Sequence, residues 1–598
     1  MRTFVYFVWF AGWFFTSGGD VSNASETETS LATSRIETAI QADPIDSPGQ
    51  VVVAYFTPRD RKPAADHHAR INRIVEETGG FYQRELARHG FHGRRLNVLR
   101  TNSGEVDIID VVGRENDANY GKPDGRKIRD EVIEVLRLRD IDASRCVLLL
   151  FCNLMDYEAE KGTISHHSPY YGGGNHLSGT AWQCDSEILD PLRFNDMTPI
   201  RDGEYGNITI GRHNSIFIGG VIHELGHALS LPHCRQRADE SVRGTALMGS
   251  GNRTYRQELR GEGRGTFLTL AHAFRLAAHP AMLSRVPASI HQDAAADWKR
   301  LKITNPESHV LRIEGSVEST VPVHAVIAYF DPAGGSDYDS TTATAIPQTD
   351  GHFELSSEPL PTGDAELRLV ACHVNGTTSI RKFHYRVNSK GDILLDAVRL
   401  ELELGSMIDL IRQSKFEAAS ETLARVSRDD ASLRAIGQRV LDRFGIRAEP
   451  LSKDFNKVDE NVKSLALSSL RPQSARVGWL RPTYNAVPER QSLLSIDGDY
   501  YADGIYAHAP AEHVYRLDGR WKRLRGRAGI QAGHDGKVDF RILGDGRLLW
   551  DSKGVTEETS VALDVDLSSI DILELHVDDG GNGTAADWGV WIEPTLTR

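Results

Sequence analysis

Residues 213–233, HNSIFIGGVIHELGHALSLPH, leave the chain few choices of structure. Drawn as a helix, the segment puts Ile218, Val221, Ile222, Leu225, Ala228 and Leu229 on one side. At about 100° per residue, Gly219, Gly220, Gly226, His227 and Ser230 fall within roughly 60° of His223 on the other. One face is therefore core, and the other holds two histidines among residues with almost no side chain. Ile216, in the first turn, is the exception. A purely structural helix would fill the second face or cover it with long polar groups. The helix is expected over 213–231, and the small residues read as clearance for a metal and a substrate. Pro232 disfavours the helical conformation at Leu231, so the chain should leave the helix at Ser230 or Leu231.

Four residues apart on one helix, His223 and His227 can share an ion. Neutral imidazole is a good zinc ligand, and catalytic zinc keeps three protein ligands with one open position. His233, past the helix end, is the expected third ligand. Glu224 follows the first ligand, where a carboxylate can take a proton from water and act as general base. One catalytic Zn2+ is thus the expected cofactor, and zinc-assisted hydrolysis the expected chemistry.

The pattern HExxHxxxxxH resembles the metzincin clan of zinc peptidases, in which HExxHxxGxxH is followed by a methionine turn. GTALMGSG follows here, with Met248 in the matching place. The resemblance implies a metalloendopeptidase in which Met248 lies under the three imidazoles as an apolar floor. It also implies an α/β catalytic domain whose 170s region is a substrate-side edge strand. Ser230 stands where the family has glycine, and Ser250 where some members have a tyrosine; Tyr255 is nearby but outside the motif.

A chain of 598 residues is too long for one core, and the expected fold class is multidomain α+β. An apolar run from Phe4 to Phe15 behind Arg2, with Ser22 and Ala24 as the small pair, reads as a signal peptide over 1–24. The run is too short to span a bilayer comfortably, and a retained membrane anchor is the alternative reading. A secreted, periplasmic or cell-surface location is expected. Residues 25–48, rich in Ser, Thr, Glu and Asp, read as a flexible leader. Residues 49–292 read as the metzincin-like domain. VVVAYF and CVLLLFC are buried strands among helices, which suggests a mixed, largely parallel sheet. Residues 165–179, with His166, His167 and His176, read as an irregular loop or edge strand. Residues 300–390 read as a β-sandwich and 393–446 as a helical hairpin spacer. Five cysteines leave at least one thiol unpaired; Cys146 and Cys152 read as buried thiols, and a Cys184–Cys234 bridge is open. Net charge −14 with pI near 5.9 excludes a general nucleic-acid binder, which needs basic excess to meet phosphates.

Residues 460–598 contain, in order, SLALSSLRPQSARVGW, GIYAHAPAEHVYRLDG, GKVDFRILGDGRLLWDS and LHVDDGGNGTAADWGVW. These resemble the NPCBM family of carbohydrate-binding β-sandwiches. The resemblance implies a glycan ligand, with His508, Asp587 and Trp588 as candidate contacts, the tryptophan as an aromatic platform. The expected whole is a secreted zinc endopeptidase acting on protein or glycoprotein. The rivals are a glycan-binding protein with a degenerate peptidase domain, and a zinc deacetylase acting on sugars.

Overall fold

The computed structural model describes residues 21–47, 49–332, 337–444, 458–488, 493–497, 499–534, 536–557 and 559–598. The apolar run Phe4–Phe15 lies outside them. The chain is multidomain α+β. Helix α1 (Val21–Ala42) and strand β1 (Pro44–Asp46) come first. They correct the flexible leader expected over 25–48. Ala32, Ile36 and Ile40 recur at four-residue spacing and are buried in the main core. Arg35 Nη1 donates to the Val323 carbonyl at 3.1 Å, and β1 pairs antiparallel with Arg285–Pro287. A polar composition hid one narrow apolar stripe, and that stripe is enough to dock the helix.

The sheet that carries the site comes from β2 (Gln50–Thr57), β3 (Ile108–Val112), β4 (Cys146–Cys152), β7 (Tyr171–Gly174) and β8 (Gly179–Cys184), in the order β3-β2-β4-β8-β7. Helices α2 (His67–Arg88) and α3 (Gly125–Arg137) connect its first strands. All pairings are parallel except β7 against β8. Strand β4 shows why its sequence is apolar without alternation. Val147, Leu149 and Phe151 enter one core, and Cys146, Leu148, Leu150 and Cys152 the core on the other face. The two β4 cysteines thus share a side, as buried free thiols. Strands β5 (Met155–Glu158), β6 (Thr163–His166), β9 (Pro199–Asp202) and β10 (Gly206–Thr209) form a four-stranded sheet that leads into helix α4 (Ile210–Ala228).

Residues 297–394 form a three-stranded and a five-stranded sheet around their own core. The run VHAVIAYF in Val323–Pro332 is buried throughout, because Ala325, Ile327 and Tyr329 belong instead to the core of the first domain. The sandwich is therefore fused to the first domain through one continuous apolar core. Helix α5 (Leu270–Ala277) lies in that shared core. The expected helical hairpin is three helices: α6 (Asp396–Arg412), α7 (Phe416–Val426) and α8 (Ala431–Phe444). Two large antiparallel sheets and one two-stranded sheet over 464–597 close a second large core. No helix among the described residues is long and apolar enough to cross a membrane.

Candidate metal centre

Thr209 caps α4, its hydroxyl accepting from Arg212 N at 3.2 Å. At the other end, Ser230 N donates to the His227 carbonyl and Leu231 N to the Gly226 carbonyl, both at 2.9 Å. This pair of bonds is a Schellman reversal, which asks its pivot for a left-handed conformation. Ser230 adopts it, with φ +70. Arg275 of α5 holds the strained residue from outside, donating to its carbonyl at 2.6 Å and its hydroxyl at 3.0 Å. The serine thus follows the path a glycine would take, and the chain returns with His233 facing the helix.

His227 Nε2 lies 3.2 Å from His223 Nε2 and 2.9 Å from His233 Nε2. The ring pairs His223–His227 and His227–His233 stand edge to face, at 4.8 Å and 82°, and 4.5 Å and 87°. His223 Nδ1 donates to the Leu247 carbonyl at 2.8 Å and His227 Nδ1 to the Leu231 carbonyl at 2.9 Å. Those bonds fix the tautomer and leave each Nε2 lone pair for an ion. Tetrahedral zinc at about 2.0–2.1 Å from each nitrogen spaces its donors by roughly 3.4 Å, so this set could hold one. Burial pushes His223 down to about 3 and also lowers His227, so both are in the neutral, ligating form.

Glu224 is 9% exposed. Burial pushes its carboxyl up to about 8, and a hydrogen bond from the Gly172 N–H of β7 opposes that rise. A dication beside it would act with the N–H, toward the carboxylate. Met248 is fully buried, its Sδ against α4 at Gly226.

The small face of α4 has a different reason from the one expected. A Cβ on Gly220 would sit 1.5 Å from the Tyr170 hydroxyl, on Gly226 2.6 Å from Met248 Sδ, and on Gly219 2.3 Å from the Asn252 carbonyl oxygen. The clearance admits protein, not solvent. The glycines of β7 do the same from their side: a Cβ on Gly172 would lie 2.1 Å from the Glu224 carbonyl oxygen, and on Gly174 2.2 Å from that of Ala228. The run Gly172–Gly174 lets the edge strand lie flat on the helix beside Glu224. Gly173 faces open space.

Sequence reasoning missed Tyr338, which arrives from the middle sandwich more than a hundred residues later. Its ring stacks on His233 with centroids 3.7 Å apart and planes at 25°, and it remains 43% exposed. Asp337 beside it accepts from Arg368 Nη1 at 2.7 Å, and the Ser340 carbonyl accepts from Arg235 N at 2.8 Å. The second domain therefore walls the site of the first. Tyr255 is no substitute: it is buried, with its hydroxyl on Glu77. His166, His167 and His176 go to Glu204, Asp117 and the Ile290 carbonyl respectively, and do not converge. Cys184 and Cys234 are both free and buried.

In the C-terminal sandwich, His508 and Trp588 stand edge to face at 6.2 Å. Asp587 accepts from Lys537 N at 3.0 Å. Their exposures are 6% for His508, 0% for Asp587 and 7% for Trp588. His534 stacks on Trp588 at 4.1 Å and 10°, and His384 of the middle sandwich packs on His534 at 4.3 Å. The three residues expected as sugar contacts are together but packed as core, and the ring meant as an open platform is covered.

Residues 463–597 match the model of the NPCBM/NEW2 domain. The C-terminal unit is an NPCBM domain. No curated protein matches the chain. Among solved structures, the chain is similar to catalytically inactive OgpA from Akkermansia muciniphila in complex with an O-glycopeptide substrate. Identity is 22%, over 57% of this chain and 94% of that one, with a TM-score of 0.48. Wild-type OgpA from the same organism gives 22% identity over 58% and 96%, also at 0.48. The NPCBM end is similar to the CBM51 of Clostridium perfringens GH95 in complex with methyl-galactose, at 26% identity over 22% of this chain and 99% of that one, with a TM-score of 0.21. In this chain the NPCBM domain is seated on the middle sandwich, where Gly533 (φ +88) lies so close that a Cβ would meet His384 Cβ at 2.5 Å.

Proposed function

We propose that the chain is a zinc-dependent endopeptidase of metzincin-like design, exported by its N-terminal segment and acting on protein or glycoprotein. The observation that carries this reading is the meeting of three Nε2 atoms beside Glu224, at the foot of an edge strand. His223, His227 and His233 would hold the ion. Bound there, zinc would supply Lewis acidity, polarising a carbonyl and making water a stronger acid.

The chain's own residues do the rest. Strand β7 is the last strand of its sheet, so its outer backbone groups can pair with an extended peptide. Such a peptide would run past Glu224, whose carboxylate takes the proton of the attacking water and returns it to the leaving amine. The Gly172 N–H holds that carboxylate in place. Tyr338 forms the opposite wall and narrows the approach to His233. Met248 supports the histidines from beneath α4. The NPCBM domain would bring a glycan ligand, through contacts other than the covered face of Trp588.

The direct test is metal analysis of the purified full chain, with peptide hydrolysis measured before and after chelation. Zinc at the His223–His227–His233 group, lost on chelation together with the activity, is expected. Full hydrolysis by a metal-free chain would overturn the reading, and release of acetate from glycans without peptide cleavage would replace it by the deacetylase.

A further inference from the structure

A second group of imidazoles meets a carboxylate at the other edge of the five-stranded sheet. His67 and His68 open α2, and Asp110 lies in β3, the edge strand opposite β7. Four strand spacings of about 4.8 Å put it roughly 19 Å from β7. His67 Nε2 is 2.9 Å from Asp110 Oδ1, and His68 Nε2 is 2.8 Å from Oδ2. Consecutive helix residues project about 100° apart, so two neighbours on one carboxylate is an imposed arrangement. The His67 ring is backed by Tyr55 at 4.3 Å, and Tyr55 is held in turn by Asp185 and by the Ala64 N–H.

The geometry repeats that of the catalytic histidines. His67 and His68 stand edge to face at 4.5 Å and 81°, beside 4.8 Å and 82° for His223–His227. The donor atoms of His67, His68 and Asp110 all lie within 4.8 Å of one another, as do those of the catalytic three. Asp110 faces both imidazoles from the edge of the sheet, one carboxylate oxygen to each ring. Its negative charge also offsets the helix N-terminus, which by itself repels cations.

We propose that His67, His68 and Asp110 bind a second divalent ion of the class that favours imidazole: zinc, nickel or copper. Two imidazoles and one carboxylate supply three ligands. His68 and Asp110 are each about half exposed, at 53% and 52% of their side chains, which leaves room for water to complete the shell. The ion would tie the first turn of α2 to the edge of the sheet. It takes no part in the hydrolysis.

The test is zinc titration of the metal-stripped full chain, with bound metal counted after dialysis. Two equivalents are expected. His68→Ala, on the surface, should retain one equivalent and keep the peptidase activity. His223→Ala should also retain one, and zinc should still raise its Tm. Two equivalents in both His68→Ala and Asp110→Asn would overturn the proposal, as would a wild-type chain whose single equivalent disappears with His223→Ala.

Discussion

The candidate metal centre and the Trp588 cluster start from the same kind of clue, polar and aromatic residues singled out by type, and end in opposite states. In the first, two candidate ligands lie on one helix and the third only six residues after the second. Helical geometry alone brings the first two together, and one reversal brings the third. In the second, His508 and Asp587–Trp588 come from segments some eighty residues apart, and His534 of the same domain, itself backed by His384 of the middle sandwich, covers the tryptophan. A juxtaposition encoded over one or two turns survives folding nearly unchanged. Chemistry that needs an exposed face depends on everything that packs nearby.

The sharpest test of the first half of this contrast is Glu224→Gln. It should lower hydrolysis by about a thousandfold or more while zinc stays bound, measured as turnover beside metal content. Unchanged turnover would remove Glu224 from the reaction. On the other side, Trp588→Ala should destabilise the NPCBM domain by about 3–5 kcal/mol in denaturant unfolding, as expected for a large buried ring. A stable variant that only loses sugar binding would restore the platform. Ser230→Val comes next. A β-branched residue in the left-handed region costs roughly 1–2 kcal/mol, and the variant also loses the hydroxyl that Arg275 holds. Its zinc should dissociate more readily in competition with a chelator. Tyr338→Ala removes one stacked pair, about 0.5–1.5 kcal/mol, so it should change kcat/KM by up to about tenfold with zinc retained.

A separate effect is expected in the metal-free chain. Glu224 is raised from 4.5 to about 8 by burial, so its protonated form is the one the fold favours. Stability from this group is complete below about 4.5 and is lost as pH rises toward 8. Glu224→Gln should flatten that slope in thermal melts, and an unaltered slope would show that Glu224 is not the titrating group.

Much of this was legible from residues 213–233. The helix, its buried back, the paired histidines and the break at Pro232 all follow from local periodicity, which is read over a few turns. The expected helix ran to 231, whereas α4 ends at Ala228 and reverses at Ser230, because Arg275 of another helix supports a left-handed serine. The glycines were recognised as deliberate, yet their purpose was not. Whether Tyr170, Met248 or solvent fills the space beside a glycine depends on chain far away.

The leader shows the same limit from the opposite direction. Its composition is that of a flexible segment, and only the groove between Arg285–Pro287 and the middle sandwich gives Ala32, Ile36 and Ile40 somewhere to go. By itself the sequence determined which residues could act together within one helix and its exit, because backbone geometry there is set by neighbours. Tertiary structure alone decided what stands over that site and what is hidden elsewhere: Tyr338 on His233, β7 on α4, and His384 behind His534 and Trp588. Those contacts join segments whose separation along the chain carries no information about their distance in space.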